Sequence, residues 1–309
     1  AEVGSKVEAL INVINSRTEP GIEIGGHCTR PFECDFIPYC WDHVPDYSVY
    51  DVFDGRKLEA LLEENILNIA DVPENFDLTD RQSIEINACK ENRIQRDVSA
   101  IQGFLEQLAY PLYYLDYETI STAVPLFDHS SPYETIPFQF SLHVQPKKGG
   151  DLKHMEFLHS GTDDPRPGFL EALVEACNKR GSIVVYNQAF ESGVNNKLAL
   201  NFPAYADRLE AINDRMVDLL VPFRSRHLYH PAMEGSASLK SVLPAFVPDL
   251  TYEGLAIANG EIASITYNRC IRGLIPEAEK PQIFEDLREY CRLDTLAEVR
   301  LVEVLYKNS

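Results

Sequence analysis

The run from Pro111 to Glu118 constrains the fold of this chain more than any other segment. It reads Pro-Leu-Tyr-Tyr-Leu-Asp-Tyr-Glu, an aromatic and aliphatic stretch that begins at a proline and is typical of a buried strand. Because side chains alternate faces along a strand, Asp116 and Glu118 point the same way. Two carboxylates on one face of an apolar strand lose hydration and repel each other unless a cation or hydrogen-bond donors compensate. A divalent metal ion is the simplest compensation.

The C-terminal segment places a further acid where an apolar residue is expected. From Pro281 onward, apolar residues recur at intervals of three and four, which predicts one face of an amphipathic helix. Asp294 falls on that face, one turn after Tyr290. Since charged residues are rarely buried without a partner, this position predicts a functional carboxylate, with a structural ion pair or a helix-capping contact as the alternative.

A third acid follows a short apolar run in the middle of the chain. The segment from Gly181 to Asn187 is typical of a sheet-core strand after a helix-ending glycine. Glu191 follows Asn187 by four residues, near the exit of that strand, where open α/β sheets usually place their ligands. Taken alone, a surface acid that stabilises a helix dipole is the favoured interpretation of Glu191.

The segments between these acids predict an α/β fold. Apolar residues alternate from Ile136 to Val144, which predicts a strand, and another strand follows around Met155 to Leu158. A helix from about Pro167 to Lys179 leads to the strand that ends at Asn187. With the strand at 111–118, this order predicts three antiparallel strands, a crossover, and parallel strands beyond, flanked by helices.

Together, the acidic segments resemble the DEDD exonuclease superfamily of the ribonuclease H-like fold, in its tyrosine-containing branch. Asp116 and Glu118 match the first motif of that family, Asp-x-Glu on the first strand. Tyr290 and Asp294 match its third motif, a tyrosine followed by three residues and an aspartate. The resemblance implies that the predicted sheet is a ribonuclease H-like mixed sheet.

The second motif of that family is an asparagine followed by a hydrophobic-aspartate pair. Asn187 and Phe190 match it, and Glu191 replaces the aspartate. Asp218 resembles an acid on a later strand of many relatives. The resemblance covers roughly residues 110–307. The signatures Tyr-Asn-x-x-Phe-Glu and Tyr-Cys-x-x-Asp-Thr are also similar to those of an uncharacterised bacterial family of domains of unknown function.

The resemblance implies a metal-dependent 3′–5′ exonuclease that hydrolyses phosphodiester bonds with two Mg²⁺ or Mn²⁺ ions, held about 3.5 to 4 Å apart. Asp116 is expected to bridge both ions, and Glu118 and Glu191 to complete their shells. Asp294 is expected to hold the ion that carries the attacking water, which Tyr290 orients. The alternative is a catalytically silent nucleic-acid-binding or scaffolding module with the same fold, and the replacement at Glu191 favours it.

Net charge limits how such a protein can bind nucleic acid. The chain has 28 basic and 48 acidic residues, which argues against broad nonspecific affinity. Gripping the 3′ end of a single strand needs few phosphate contacts, so single-stranded DNA or RNA ends are the predicted partners; the choice between them stays open. Asn187 and Lys240 are the predicted substrate-binding residues. Arg224, Arg226 and Arg272 are further candidates for phosphate contacts, with ordinary surface cations as the alternative.

Three of the seven cysteines, Cys28, Cys34 and Cys40, lie near the N-terminus with five residues between each. An odd total without a secretion signal argues against a disulfide framework. Three thiols within 13 residues indicate a metal or cluster site that lacks one ligand. Zinc with His27 or His43 as the fourth ligand is one alternative, and free thiols are another. The other four cysteines are predicted to be small buried hydrophobes: Cys89, Cys177, Cys270 and Cys291.

This N-terminal segment is similar to the C-terminal cysteine tail of iron-sulfur nucleases related to RecB. That likeness implies a 4Fe-4S cluster in a longer protein, whose fourth cysteine would precede residue 1. The predicted organisation is therefore a cysteine-containing segment at 1–53, a helical connector at 54–110 and the exonuclease domain at 111–309. No stretch of about 18 apolar residues occurs and no secretory signal is present, so no membrane partner is expected and the predicted location is cytoplasmic.

Overall fold

Two compact units make up the chain in this computed structural model, which describes residues 2–177 and 180–309. The first unit comprises residues 1–76 and the second comprises residues 77–309. Each unit buries apolar side chains of its own.

The first unit is helical. Ser48 caps one of its helices, because the Ser48 side chain accepts a hydrogen bond from the backbone N–H of Tyr50 while Asp51 accepts one from the backbone N–H of Ser48. Helices α1 to α4 are Glu2–Ile14, Ile37–Cys40, Val49–Val52 and Gly55–Glu63, with 3₁₀ turns at Gly26–Cys28 and Ile69–Asp71. Its buried apolar side chains include Val49, Phe53, Leu61, Ile69 and Val72.

The second unit is an α/β structure. Strands β1 to β7 are Gln95–Arg96, Leu112–Ile120, Ile136–Gln145, Lys153–Leu158, Ile183–Val185, Met216–Asp218 and Leu228–Tyr229. Helices α5 to α13 are Asp80–Glu91, Val98–Leu105, Arg166–Ala176, Gln188–Asn201, Ala206–Asn213, Leu220–Arg224, Leu239–Phe246, Gly260–Ile271 and Lys280–Asn308, with 3₁₀ turns at Pro203–Tyr205 and Pro231–Met233.

Within the described residues, five of these strands form one mixed sheet in the order β4-β3-β2-β5-β6. Strands β2, β3 and β4 are antiparallel, and β5 and β6 run parallel to β2. The predicted α/β fold, with three antiparallel strands followed by parallel ones, is confirmed at this level. The ribonuclease H-like assignment stays a prediction.

Strand β2 lies at the centre of the sheet, and its two faces meet different helices. Tyr113, Leu115 and Tyr117 pack in one core cluster with residues of α7, α8 and α9. Leu112 and Tyr114 pack in the opposite cluster with residues of α6, α11 and α13. Asp116 and Glu118 therefore continue the face of β2 that is turned towards α13.

Helix α13 is the long amphipathic helix that the sequence predicts. Pro281 lies in its first turn, where a missing backbone N–H costs nothing. The helix runs for 29 residues, and one continuous face of it is buried. Because this face packs on β2 and β3, polar residues within it are brought against the sheet.

The predicted connector at 54–110 is divided between the two units. Its first part lies in the first unit, up to Phe76. Helix α6 belongs to the second unit, because Ile101, Phe104 and Leu105 are buried in the same cluster as residues of α13. The crossover helix predicted at 167–179 is observed as α7; Asn178 and Lys179 lie outside the described residues.

Arg226 is buried, so it is not an ordinary surface cation. Its guanidinium is 1% exposed and lies 2.6 Å from Glu85 Oε1, and it donates a hydrogen bond to the carbonyl of Phe223. A buried guanidinium with an acid partner is held in the fold and cannot reach a phosphate in solvent. Arg226 is therefore removed from the candidates for phosphate contact.

Candidate metal centre

Strand β2 and helix α13 bring Asp116, Glu118 and Cys291 together. Cys291 Sγ lies 3.6 Å from Asp116 Oδ2 and 3.9 Å from the Asp116 carbonyl oxygen. Each of the three residues offers one ligand atom, and these atoms all lie within 4.8 Å of one another. Glu118 is 7% exposed and Cys291 is fully buried. This is a set of two carboxylates and one thiol at the end of a central strand.

Asp294 lies beside this set on the buried face of α13. Tyr290, Asp294 and Glu298 are four residues apart along the helix, so they share one face, and all three are buried. Tyr252 donates a hydrogen bond from its hydroxyl to Asp294 Oδ1 at 2.5 Å. The Tyr290 hydroxyl also hydrogen-bonds to Asp294. Tyr290 and Asp294 thus share one buried face of α13, and Tyr252 contacts Asp294 from another segment.

Glu191 is a further buried acid, supplied by α8. It lies in the first turn of α8 and is only 2% exposed, and its Oε2 atom has no hydrogen-bond partner among the described residues. Its charge contributes to the raised pKa of Asp116. The interpretation of Glu191 as a surface acid is therefore wrong, because this turn of α8 faces inward with Val194 and Leu198.

The acids of this centre raise one another's pKa. Burial raises the pKa of Asp116 well above its usual range, and the charges of Asp294, Glu118 and Glu191 raise it further. Burial raises the pKa of Glu118 to about 8; the charge of Asp294 adds to this and the charge of Lys240 opposes it. The charge of Lys240 thus compensates the negative charge at this position only in part.

Burial also raises the pKa of Glu191 and of Asp294, and hydrogen bonds oppose part of each rise. Burial raises the pKa of Glu191 to about 8, although a backbone hydrogen bond opposes the rise. Burial raises the pKa of Asp294 to about 6, and the hydrogen bonds from Tyr252 and Tyr290 hold it down. Asp294 is thus the acid of this group that ionises most readily.

The donor set of this centre fits a divalent cation. Carboxylate oxygens are the ligands that Mg²⁺ and Mn²⁺ prefer. Glu191 Oε2 and Glu298 Oε2 are both buried without a hydrogen-bond partner among the described residues. A cation would satisfy these oxygens and remove the repulsion between the acids. Asp116, Glu118, Glu191 and Asp294 are the residues that would hold it.

Three residues of the centre were not predicted to belong to it. Cys291 is buried, as predicted, but it contacts Asp116 instead of filling an apolar core. Glu298 follows Asp294 by one turn, and this spacing is a signal that could have identified it. Tyr252 lies in the irregular segment between α11 and α12, where no periodicity points to it.

The predicted substrate-binding residues lie at the edge of the centre. Lys240 is exposed; its Nζ donates a hydrogen bond to the Ala258 carbonyl at 2.6 Å and lies 5.8 Å from the centroid of the Tyr290 ring. Asn187 is exposed, and its backbone N–H donates to Asp218 Oδ1 at 3.1 Å. Asp218 thus holds the turn that carries Asn187, and it also accepts from the backbone N–H of Leu220.

A groove of about 470 Å³ opens on the outer face of α8. Phe190 is 40% exposed in this groove and Tyr133 is 71% exposed across from it. Lys197, two turns along α8 from Phe190, also lines it. Because Phe190 immediately precedes Glu191, the groove lies next to the turn that supplies the buried acid.

The three N-terminal cysteines are not brought together in this way. Cys28 is buried, Cys34 is exposed and Cys40 is partly buried. In the part of the chain that the structure describes, their sulfur atoms do not form a group within ligand distance. The iron-sulfur, zinc and free-thiol alternatives for this segment stay predictions.

The fold and the centre define an α/β protein with a mixed sheet and a buried cluster of carboxylates and one thiol. Residues 113–238 match the family model described as Domain of unknown function (DUF2779). The matched range includes Asp116, Glu118 and Glu191, and it ends before Tyr290.

Two curated bacterial proteins are similar to the chain. One is "Uncharacterized protein MG366 homolog" of Mycoplasma pneumoniae, 28% identical over 207 residues, which are 61% of this chain and 31% of that protein. The other is "Uncharacterized protein UU173" of Ureaplasma parvum, 24% identical over 277 residues, which are 82% of this chain and 40% of that protein. The chain thus spans well under half the length of these relatives. The matches support a bacterial family of unknown function, as the sequence predicts.

No solved structure matches the chain significantly. Among the described residues, no helix has both the length and the apolar character needed to cross a lipid bilayer.

Proposed function

We propose that this chain carries a metal-dependent 3′–5′ exonuclease that hydrolyses phosphodiester bonds in single-stranded DNA or RNA. One observation carries the proposal: the charges of buried acids from β2, α8 and α13 act on Asp116, and the opposing charge of Lys240 still leaves the pKa of Glu118 at about 8. Asp116, Glu118, Glu191 and Asp294 would hold two Mg²⁺ or Mn²⁺ ions. Such ions, when bound, supply an activated water and neutralise charge on the phosphate and the leaving 3′ oxygen.

Tyr290 acts in this proposal as a hydrogen-bond donor that positions the attacking water. Burial raises the pKa of Tyr290 above its usual value, and the negative charge of Asp294 adds to the rise. The phenol therefore keeps its proton and does not act as a base. Asp294 lies one turn after Tyr290 on the same buried face of α13 and accepts a hydrogen bond from Tyr252.

The groove on α8 supports a single-stranded nucleic acid as the substrate. Exposed aromatic rings such as Tyr133 and Phe190 offer faces on which unpaired bases stack. Lys240 at the edge of the centre provides positive charge for phosphates, and Lys197 beside these rings adds to it although it also lies 3.9 Å from Glu134 Oε2. A few local cations next to a metal centre are compatible with the strongly acidic chain, because an exonuclease grips only the end of a strand.

Truncating the aromatic rings of the groove is expected to weaken substrate binding without affecting the chemistry. Since base stacking contributes about 1 to 3 kcal/mol per base, Phe190→Ala and Tyr133→Ala should each raise KM for a single-stranded oligonucleotide roughly tenfold. Hydrolysis of a small phosphodiester without stacked bases should be unchanged. Steady-state kinetics with both substrates provide the measurement.

Leu200→Ala is the matched control, because Leu200 is 76% exposed on the same helix but does not line the groove. Equal loss of activity towards both substrates in the Phe190 variant would contradict a stacking role.

Removing the hydroxyl of Tyr252 is expected to weaken metal binding. Partners that orient a ligand typically contribute about 10-fold to 100-fold to metal affinity, so Tyr252→Phe should lower Mn²⁺ affinity by that order. Isothermal titration calorimetry measures the effect. Tyr267→Phe is the control, because the Tyr267 hydroxyl bonds His159 at 2.9 Å, away from the acids. Unchanged Mn²⁺ affinity in the Tyr252 variant would show that its bond to Asp294 does not orient a ligand.

A catalytically silent nucleic-acid-binding module is the second candidate function. Glu191 favours it, because the longer side chain replaces the aspartate of the resembling family. The direct discriminating experiment is hydrolysis of a 5′-labelled strand by the unmodified protein with Mn²⁺ or Mg²⁺. A protein that binds the strand and never shortens it would fit the silent module.

A further inference from the structure

We propose that Cys291 is a metal ligand, so that one position of the centre is a mixed oxygen and sulfur site that favours borderline divalent ions such as Zn²⁺, Co²⁺ and Fe²⁺ over Mg²⁺. The inference rests on the metal centre of the proposed function, but it does not require turnover. Nothing in the resemblance to the exonuclease family assigns a thiol to this centre.

The separation of the donor atoms carries this inference. A metal with a sulfur ligand at about 2.3 Å and an oxygen ligand at about 2.1 Å, in tetrahedral geometry, places the two donors about 3.6 Å apart. Cys291 Sγ and Asp116 Oδ2 lie 3.6 Å apart. Glu118 supplies a further oxygen within the same 4.8 Å group. The separation of Cys291 Sγ and Asp116 Oδ2 thus matches that of two ligands on one ion.

Independent evidence comes from the acids around this group. Glu191 is 2% exposed and Glu298 is 1% exposed, and each leaves its Oε2 atom without a hydrogen-bond partner among the described residues. The charge of Glu191 acts on Asp116, and the charges of Asp116 and Glu191 act on Glu298. Buried oxygens without partners are costly unless a cation is bound nearby. Cys291 therefore lies beside a group of acids and not in an apolar pocket.

The other buried cysteines lie in different surroundings. Cys177 is buried in the apolar cluster formed by α7, α8, α9 and the sheet. Cys270 is buried in the cluster around Tyr267 and Phe138. Neither belongs to a group of ligand atoms in the described part of the chain. They provide matched controls for the substitution of a buried thiol.

Metal coordination replaces the proton of the Cys291 thiol. The S–H bond breaks, a sulfur-metal bond forms, and the proton passes to solvent, with no change of oxidation state. Thiolate ligands select soft or borderline ions, whereas Mg²⁺ takes oxygen ligands. Cys291 thereby biases the choice of metal while the carboxylates provide most of the ligands.

Anaerobic titration of the full chain with Co²⁺ tests this assignment. Cys28, Cys34 and Cys40 are first replaced by serine, so that N-terminal thiols do not contribute. A near-ultraviolet sulfur-to-cobalt charge-transfer band is expected in this protein and after the further replacements Cys177→Ser and Cys270→Ser. The same band should be lost in Cys291→Ser, and the preference for Zn²⁺ over Mg²⁺ should fall at least tenfold. A band that persists in Cys291→Ser would overturn the proposal.

X-ray absorption of the Zn²⁺-loaded protein gives a second test that needs no change at Cys291. One sulfur scatterer at about 2.3 Å is expected in the variant that lacks the three N-terminal cysteines. A shell of oxygen and nitrogen atoms alone would refute ligation by Cys291, even if the protein hydrolyses oligonucleotides. Conversely, a sulfur ligand in a protein that never cuts a strand would refute only the exonuclease activity.

Discussion

Asp116→Asn is expected to lower the rate of Mn²⁺-dependent strand hydrolysis by about a thousandfold or more. The charges of Asp294, Glu118 and Glu191 all act on Asp116. Loss of a bridging carboxylate removes several kcal/mol of transition-state stabilisation, and each 1.36 kcal/mol corresponds to a tenfold change in rate. The substitution keeps the size of the side chain, so the sheet should fold normally.

A 5′-labelled single strand and gel analysis of its shortened products provide the measurement. Asp249→Asn is the matched control, because Asp249 is 78% exposed and lies 3.8 Å from Arg300 at the surface. That variant should retain the rate of the unmodified protein. If Asp116→Asn shortened the strand as fast as the control, the centre described here would not be the catalytic site.

The sheet and the first motif were predictable because both depend on local periodicity. The aromatic and aliphatic residues from Pro111 to Glu118 predict a strand. Because side chains alternate along a strand, odd and even residues are expected on opposite faces, and the structure places them so. The position of Asp294 on the buried face of α13 follows from helical spacing alone. The position of a side chain can thus be predicted from sequence when it depends only on the strand or helix that carries it.

Glu191 shows how a local signal can be overlooked. It is buried together with Val194, Asn195 and Leu198, at intervals of three, four and seven residues. That spacing marks the inward face of α8 and could have indicated a buried acid. The interpretation as a surface acid gave weight to its place near a helix start and neglected this stripe.

Other parts of the site depend on contacts that no local pattern reports. Tyr252 reaches Asp294 from an irregular segment 42 residues earlier in the chain. Arg226 is buried against Glu85, which lies 141 residues away in sequence. Cys291 could be predicted as buried, but its neighbour Asp116 is set by the packing of α13 on β2. Tertiary packing decides these pairings.

The metal-free protein is expected to lose stability as the pH rises from 6.5 towards 8, and a divalent ion is expected to restore it. In the unfolded chain, glutamates ionise near their usual pKa of 4.5, whereas burial raises the pKa of Glu118 and Glu191 in the folded protein to about 8. Between pH 6.5 and 8 these glutamates bind more protons in the folded state than in the unfolded state. The free energy of unfolding therefore falls as the pH rises. Burial lowers the pKa of His143, His154 and His230, so these histidines oppose the fall near pH 6.5, and their effect fades as the pH rises towards 8.

Binding of Mn²⁺ favours the ionised carboxylates, so the rise in unfolding temperature that Mn²⁺ causes should be larger at pH 8 than at pH 6.5. Glu191→Gln removes one of the raised groups, and without metal it should unfold on the order of 5 °C higher than the unmodified protein at pH 8. Glu171→Gln removes the same charge from an exposed position on α7 and should change neither quantity. Differential scanning calorimetry at both pH values measures these shifts. A Mn²⁺ effect of equal size at both pH values, or a Glu191→Gln variant no more stable than Glu171→Gln, would mean that these buried acids do not form a cation site.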